Sequence, residues 1–133
     1  MAKEAPTMTV AVDDSGGTAR SIENDLTGVD WSIPRAVQDV TGVDKAAIER
    51  LLLLSDFSAT LTGVFNDASN VSHDVFKTVA SASVARTLTM VTSGQTLPNE
   101  VFFTDYSMSR GSDGSLTFTA PCVLQSGTAP TWA

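Results

Sequence analysis

The sequence predicts a mainly β domain, a β-sandwich or β-barrel with one flanking helix, and three observations predict it. Short runs such as "TMTVAV", "DFSATLTGVFND" and "SLTFTA" alternate apolar with small or hydroxyl-bearing residues, the period of two that a half-buried strand requires. The gaps between such runs hold "DDSGG" and "GSDG", turn chemistry that reverses a chain tightly. Only one segment, "VSHDVFKTVA", places its apolar residues at helical spacing.

Taken in order, Thr7 to Val12 is the first expected strand. It stops at Gly16 and Gly17, whose backbones permit a reversal into a second short strand, Ala19 to Glu23. Val29 to Ile33 sets Val29, Trp31 and Ile33 on one face and ends at Pro34, which cannot donate to a sheet ladder. The stretch from Pro34 to Arg50 has mixed polarity and no period of two, so it is expected to be a long projecting loop with at most one helical turn, around Asp44 to Glu49. Loops longer than about 12 to 15 residues without structure of their own are usually functional or disordered. Val37, Val40, Val43 and Ile48 are too apolar for plain disorder, so a loop that folds against a partner subunit is expected.

Asp56 to Asp67 follows as a strand, and Val71 to about Ala80 as the helix. Asn70 or Ser72 is the expected cap, Asp74 lies near the positive end, and Val71, Val75, Phe76 and Val79 form the apolar stripe. Val84 to Val91, Val101 to Arg110 and Ser115 to Ala120 complete the set, the last two joined through Gly111 to Gly114. The tally is roughly six or seven strands with one helix.

A length of 133 residues suits one domain, 1–133, with a modest core. The charged share is 17%, against roughly 25% in ordinary soluble domains. Ser and Thr, or neighbouring subunits, must therefore cover much of the surface. The formal charge of −7, with eight basic residues spread thinly, disfavours specific binding of DNA or RNA. The aliphatic run Leu51 to Leu54 is far shorter than the roughly 18 residues of a membrane span, and "MAKEAPTMTV" lacks an apolar signal core. The expectation is a cytosolic product with no membrane partner.

Catalytic chemistry finds no foothold. His73 is the single histidine, and its neighbour Asp74 does not face it on a helix, so the expectation is a solvated or capping side chain. The single Cys122 rules out an internal disulfide or a multi-cysteine metal site and reads as a small, partly buried apolar residue. Asp13, Asp14, Asp25, Asp30 and Asp113 match no calcium-loop spacing and serve turns instead. The glycines lack the Lys and Ser/Thr of a phosphate-binding loop. No enzyme, metal or cofactor is expected. Phe102, Phe103 and Tyr106 are expected in the core or in subunit contacts.

What remains is a plain face repeated on four strands. Ser58, Thr60 and Thr62 oppose Phe57, Ala59 and Leu61; Thr87 and Thr89 oppose Leu88 and Met90. Ser115, Thr117 and Thr119 oppose Leu116, Phe118 and Ala120, while Ser107 and Ser109 oppose Tyr106, Met108 and Arg110. Such a face is an ordinary solvated side of an antiparallel sheet, or a smooth hydrated wall that does not grip what passes along it.

The unit from Val29 to Asn66, the passage "FNDASNVSHDVFKTV" and the late hairpin "DYSMSRGSDGSLTF", in that order and spacing, resemble the small tail tube (major tail) proteins of long-tailed phages. The resemblance covers nearly the whole chain and rests on order, since none of the three is a catalytic signature. It implies a tail-tube-type β-sandwich with one flanking helix and a long stacking loop, assembling as hexameric rings that stack into a tube for DNA ejection. On it, Pro34, Arg35, Val37, Asp39, Val40, Val43, Asp44, Lys45 and Arg50 belong to the ring-stacking loop, and Trp132, in the tail 121–133, docks on a neighbour. Ser58, Thr60, Thr62, Ser107, Ser109, Ser115, Thr117 and Thr119 are the candidate lumen-facing residues.

The implied partners are further copies of the chain, the tape measure, terminator and distal tail proteins, and DNA in transit without specific binding. The implied location is the virion, with host cytoplasm during assembly. Two alternatives stand beside this reading: a capsid decoration or adhesin module, which shares composition and fold class, and the inner tube of a contractile injection system, which shares the tail tube fold by analogy.

Overall fold

The computed structural model describes residues 5–133; Met1 to Glu4, which open the stretch read as lacking a signal core, lie outside the described residues. Among the described residues, ten strands and one five-residue helix build the domain. The strands are β1 (Met8–Asp13), β2 (Ala19–Ser21), β3 (Leu26–Ser32), β4 (Arg35–Asp39), β5 (Arg50–Ser55) and β6 (Ser58–Val64). After α1 (Ser72–Phe76) come β7 (Arg86–Thr92), β8 (Gln95–Phe103), β9 (Ser107–Arg110) and β10 (Leu116–Leu124).

Eight strands form one antiparallel sheet in the order β2-β1-β7-β8-β10-β6-β3, with β9 also on β10. The sheet curls, so that Met8 and Val10 of β1 and Leu26 and Val29 of β3 line the same cavity. Inside the curl the alternation delivers Val10, Val12, Ala59, Leu61, Leu88, Met90, Leu97, Val101, Phe118, Ala120 and Cys122 to one core. Burial pushes the Cys122 thiol up to about 12, so it is an inert apolar filler.

Turn chemistry explains the connections. In the β1–β2 turn the Asp14 carboxylate accepts the N–H groups of Gly16 and Thr18 at 2.9 and 3.0 Å, and Gly17 takes φ 86°. The β7–β8 reversal is a two-residue turn, Ser93 and Gly94, both at positive φ, which matches the twist of the flanking strands. That signal, "TSGQ", lies in the sequence but does not figure among the expected strands, so the first half of β8 is a strand the sequence reading missed. The expected strand Val101 to Arg110 is broken at Thr104 to Tyr106. Both halves still pair with the same edge of β10, because β6 occupies the other. The interruption turns Tyr106 inward against Phe76 and Phe118.

The helix is shorter than expected, and its caps differ. Its N-cap is Val71, with no side-chain cap bond. Instead the carboxylate of Asp25, from the β2–β3 turn, accepts the Ser72 N–H at 3.2 Å. Asp74 accepts the N–H of Asn70 at 2.8 Å, which holds its carboxyl below the usual range. Beyond Phe76 the bonding tightens from the i+4 pattern of Lys77 to the i+3 pattern of Val79 and Ser81, so the α-helix gives way to turns. Arg86 accounts for the anchoring of this segment: fully buried, it donates to the carbonyls of Asp13 and Val75 and to the Thr78 hydroxyl.

His73 is half-buried, and its side chain does not cap the helix. Its ring lies 4.8 Å from that of Phe65, and its Nδ1 is 3.1 Å from the Tyr106 hydroxyl. It belongs to the aromatic cluster under the helix.

Candidate assembly surfaces

The segment expected as a structureless loop is a hairpin. β4 and β5 pair only with each other, Val37 opposite Leu52 and Asp39 opposite Arg50, with a bulge after Arg35. No helical turn forms at Asp44 to Glu49; Lys45 N–H closes a turn on the Gly42 carbonyl, and Val40 N–H reaches the Glu49 carbonyl. Strand propensity in Arg50 to Leu54 recruits the preceding residues as a partner, which is why a stretch with no period of two still forms β4.

Seven large apolar side chains are exposed on this hairpin: Val37, Val40, Val43, Ile48, Leu51, Leu52 and Leu54, with Leu54 at 92%. Its charges cancel, Arg35, Lys45 and Arg50 against Asp39, Asp44 and Glu49, so the whole formal −7 resides elsewhere in the chain. Pro34 sits at its base, where its carbonyl accepts the Asp56 N–H, and Arg35 Nε donates to the Leu53 carbonyl at 2.8 Å. Asp44 and Lys45 make a loose exposed pair at 3.7 Å. Contiguous exposed apolar surface of this kind marks an interaction site.

The second surface is the outer face of the curled sheet. Strand register brings seven of the eight predicted hydroxyl residues onto it: Thr62 lies opposite Thr119, Thr119 opposite Ser107, and Thr117 opposite Ser109, with Thr60 and Ser58 further along β6. Ser58 also meets Ser32 of β3 at 3.3 Å between hydroxyls. Ser115 is a correction: it precedes β10, in the turn, where its N–H and hydroxyl both bond Asp113. A second correction concerns β9, all four of whose residues are exposed, Met108 at 44%, so its alternate side does not enter the core. The face is also less plain than the alternation implied, because Phe102 and Val123 pair across β8 and β10 and are both exposed on it, as is Val64 on β6.

The third surface is the C-terminal tail. Ala133 exchanges both backbone hydrogen bonds with Thr96 of β8, at 2.8 and 2.9 Å, and the Trp132 ring lies 6.5 Å from that of Trp31 on β3. Within one copy, then, Trp132 docks on its own domain, and half of that side chain stays exposed.

Among the described residues no group of His, Cys, Asp or Glu could hold a metal ion, and no helix is long and apolar enough to cross a membrane.

No protein family matches the sequence, and no curated protein matches it either. Solved structures do match the fold. A subunit of the tail of an empty gene transfer agent particle, with C6 symmetry, superposes with a TM-score of 0.77 at 15% identity over 95% of each chain. The SPP1 tail tube gives 0.71 at 7% identity, over 94% of this chain and 75% of that one. A subunit of the anti-feeding prophage baseplate, 6-fold symmetrised, gives 0.66 at 13% identity over 100% and 97%. The chain therefore has the fold of tail tube proteins, a mainly β domain of antiparallel strands with one short helix, as its sequence led one to expect.

Proposed function

We propose that this chain is the repeating subunit of a bacteriophage tail tube, a structural protein rather than an enzyme. Six copies form a ring, rings stack into a hollow polymer, and viral DNA passes through the channel at ejection. The observation that carries the reading is the β4–β5 hairpin, on a tail tube fold: it exposes seven large apolar side chains and pairs with no other strand of its own domain. A hairpin of that kind gains its burial from another copy.

Ring formation also answers a problem of the sheet itself. Among the described residues β3 has β6 on one side and no strand on the other, an open edge that a free monomer would leave ready for uncontrolled pairing. Joining subunits through their edges removes it. The hydroxyl face supplies the channel wall in this reading, wet, low in cations and without a positive trap for phosphates. The tape measure, terminator and distal tail proteins are the partners, the virion tail is the location, and assembly takes place in host cytoplasm. The likeness to the anti-feeding prophage baseplate subunit favours one second reading, the inner tube of a contractile injection system.

Negative-stain electron microscopy of concentrated protein tests the proposal, with hollow rods of stacked rings as the expected result. Compact monomers under every condition, tail assembly partners included, would sink it. Val43→Asp with Leu54→Asp should keep the melting midpoint of the domain and abolish rods.

A further inference from the structure

We infer that Glu23 is the receiving site for a cation of the next copy along the tube, Arg50 at the outer end of its β4–β5 hairpin; the inference rests on the tube reading above. Oε2 of Glu23 is buried and has no hydrogen-bond partner. A carboxylate oxygen in that state is costly unless a donor reaches it. It lines a cavity of about 250 Å³ at the seam of the curled sheet, with Met8, Val10, Leu26, Gly28 and Val29 among its walls and no cation. The backbone there is open too: among the described residues β2 pairs with β1 only along Ala11 to Asp13, and the outer edge of β3 has no strand.

The supply of cations narrows the partner. Arg20 and Lys77 are spent on Asp14 and Asp74, and Arg86 is buried beneath the helix. Arg35 donates to the Leu53 carbonyl, and Lys45 leans on Asp44. Among the lysines and arginines of the described residues, only Arg50 and Arg110 have side chains with no hydrogen-bond or ion-pair partner.

Position separates these two. β3 runs from the Glu23 turn to the base of the hairpin, so the seam and the hairpin lie at opposite ends of a seven-residue strand, roughly 20 Å apart. Arg110 pairs opposite Leu116, whose carbonyl accepts the Phe65 N–H beyond β6, and this places it at the same end as Glu23. A contact between unlike ends repeats head to tail and, where its rotation does not close into a ring, gives the geometry of stacking. Arg50 meets that requirement and Arg110 does not. The apolar hairpin would lie over Met8, Leu26 and Val29 while its guanidinium reaches the carboxylate, a charge-assisted pair removed from water.

Charge reversal tests this with the full chain. Glu23→Lys and Arg50→Glu should each stay folded by circular dichroism and form no rods alone, whereas an equimolar mixture of the two, whose alternation restores opposite charges at every contact, and the double variant E23K/R50E should both polymerise. Glu23→Gln, nearly isosteric, should raise the threshold concentration for rods about tenfold or more. Rods from E23K or E23Q at the wild-type threshold, or a folded double variant that stays as inert as its parents, would overturn the contact while the tube reading stands. Rescue of E23K by Arg110→Glu in place of Arg50→Glu would also overturn it. A wild-type chain that never polymerises removes the tube reading and this contact together.

Discussion

The carboxylate of Asp25 accepts a hydrogen bond from the side-chain amide of Asn66 at 2.8 Å, joining the β2–β3 turn to the segment that leads into the helix. The other oxygen takes the Ser72 N–H, and the residue itself is 93% buried, at 7% exposure. One acid thus caps a helix from 47 residues away. Asp25→Ala should cost about 1–3 kcal/mol, since it leaves buried donors without acceptors. Urea denaturation measures this, and hydrogen exchange should show faster opening at Ser72 than at Leu88. Equal exchange at both would remove the capping role.

Gly63 sits in the middle of β6, where any side chain would collide. A Cβ there would lie 2.3 Å from the Asp25 carbonyl oxygen and 2.9 Å from the Phe118 ring. The first contact is with backbone and cannot yield, so Gly63→Ala should destabilise the domain by about 1–3 kcal/mol or more. Gly28, where a Cβ would meet nothing within 4 Å, is the control: G28A should change the denaturation midpoint little, and equal losses at both positions would argue against the steric cause.

Arg86 ties α1 to β1. Arg86→Met keeps the volume but leaves the Asp13 and Val75 carbonyls and the Thr78 hydroxyl without their donor. The expected loss is about 2–4 kcal/mol by chemical denaturation. Burial lowers the Arg86 pKa below the ordinary guanidinium value, yet Asp14 and Asp13 counter that shift, and the group remains a cation at neutral pH. A neutral result for R86M would mean the apolar contacts of Val75 and Phe76 alone hold the segment.

Several carboxyls make the fold sensitive to acid. Asp74 lies below its ordinary 3.8 because it accepts the Asn70 N–H and then Lys77, and Asp14 because it accepts the Thr18 N–H. Their folded values are depressed, so the stability they add is complete above the unfolded value and is lost as the pH falls through the folded one. The denaturation midpoint should be level above about pH 5 and decline below pH 4. Asp74→Asn should flatten part of that decline, and an unchanged slope in the variant would count against the assignment.

Much of the fold was legible because strand periodicity is local. Val10 and Val12, Ala59 and Leu61, and Phe118 and Ala120 enter the core on the sides that alternation assigned them, and the hairpins at Asp14 and Gly111 turn where glycine permits. The helix was overestimated because the apolar stripe through Val79 continues past Phe76. What ends it is a tertiary demand: Thr78 turns its hydroxyl to Arg86. The candidate surfaces were half legible. Exposed valines between Pro34 and Arg50 marked a surface that needs a partner, but β4 becomes a strand only because Leu51 and Leu52 fold back on it.

By itself the sequence determined the fold class and the hydroxyl alternation, since each depends on residue type and short spacing. Tertiary structure alone decided which hydroxyls share a face, because register couples Thr62 to Thr119 and Thr119 to Ser107 across long separations. It also decided that Trp132 meets Trp31, that Asp25 rather than Asn70 caps the helix, and that Glu23 is left without a donor at the seam. Those facts depend on where the curl of the sheet brings distant residues, and no local pattern carries that information.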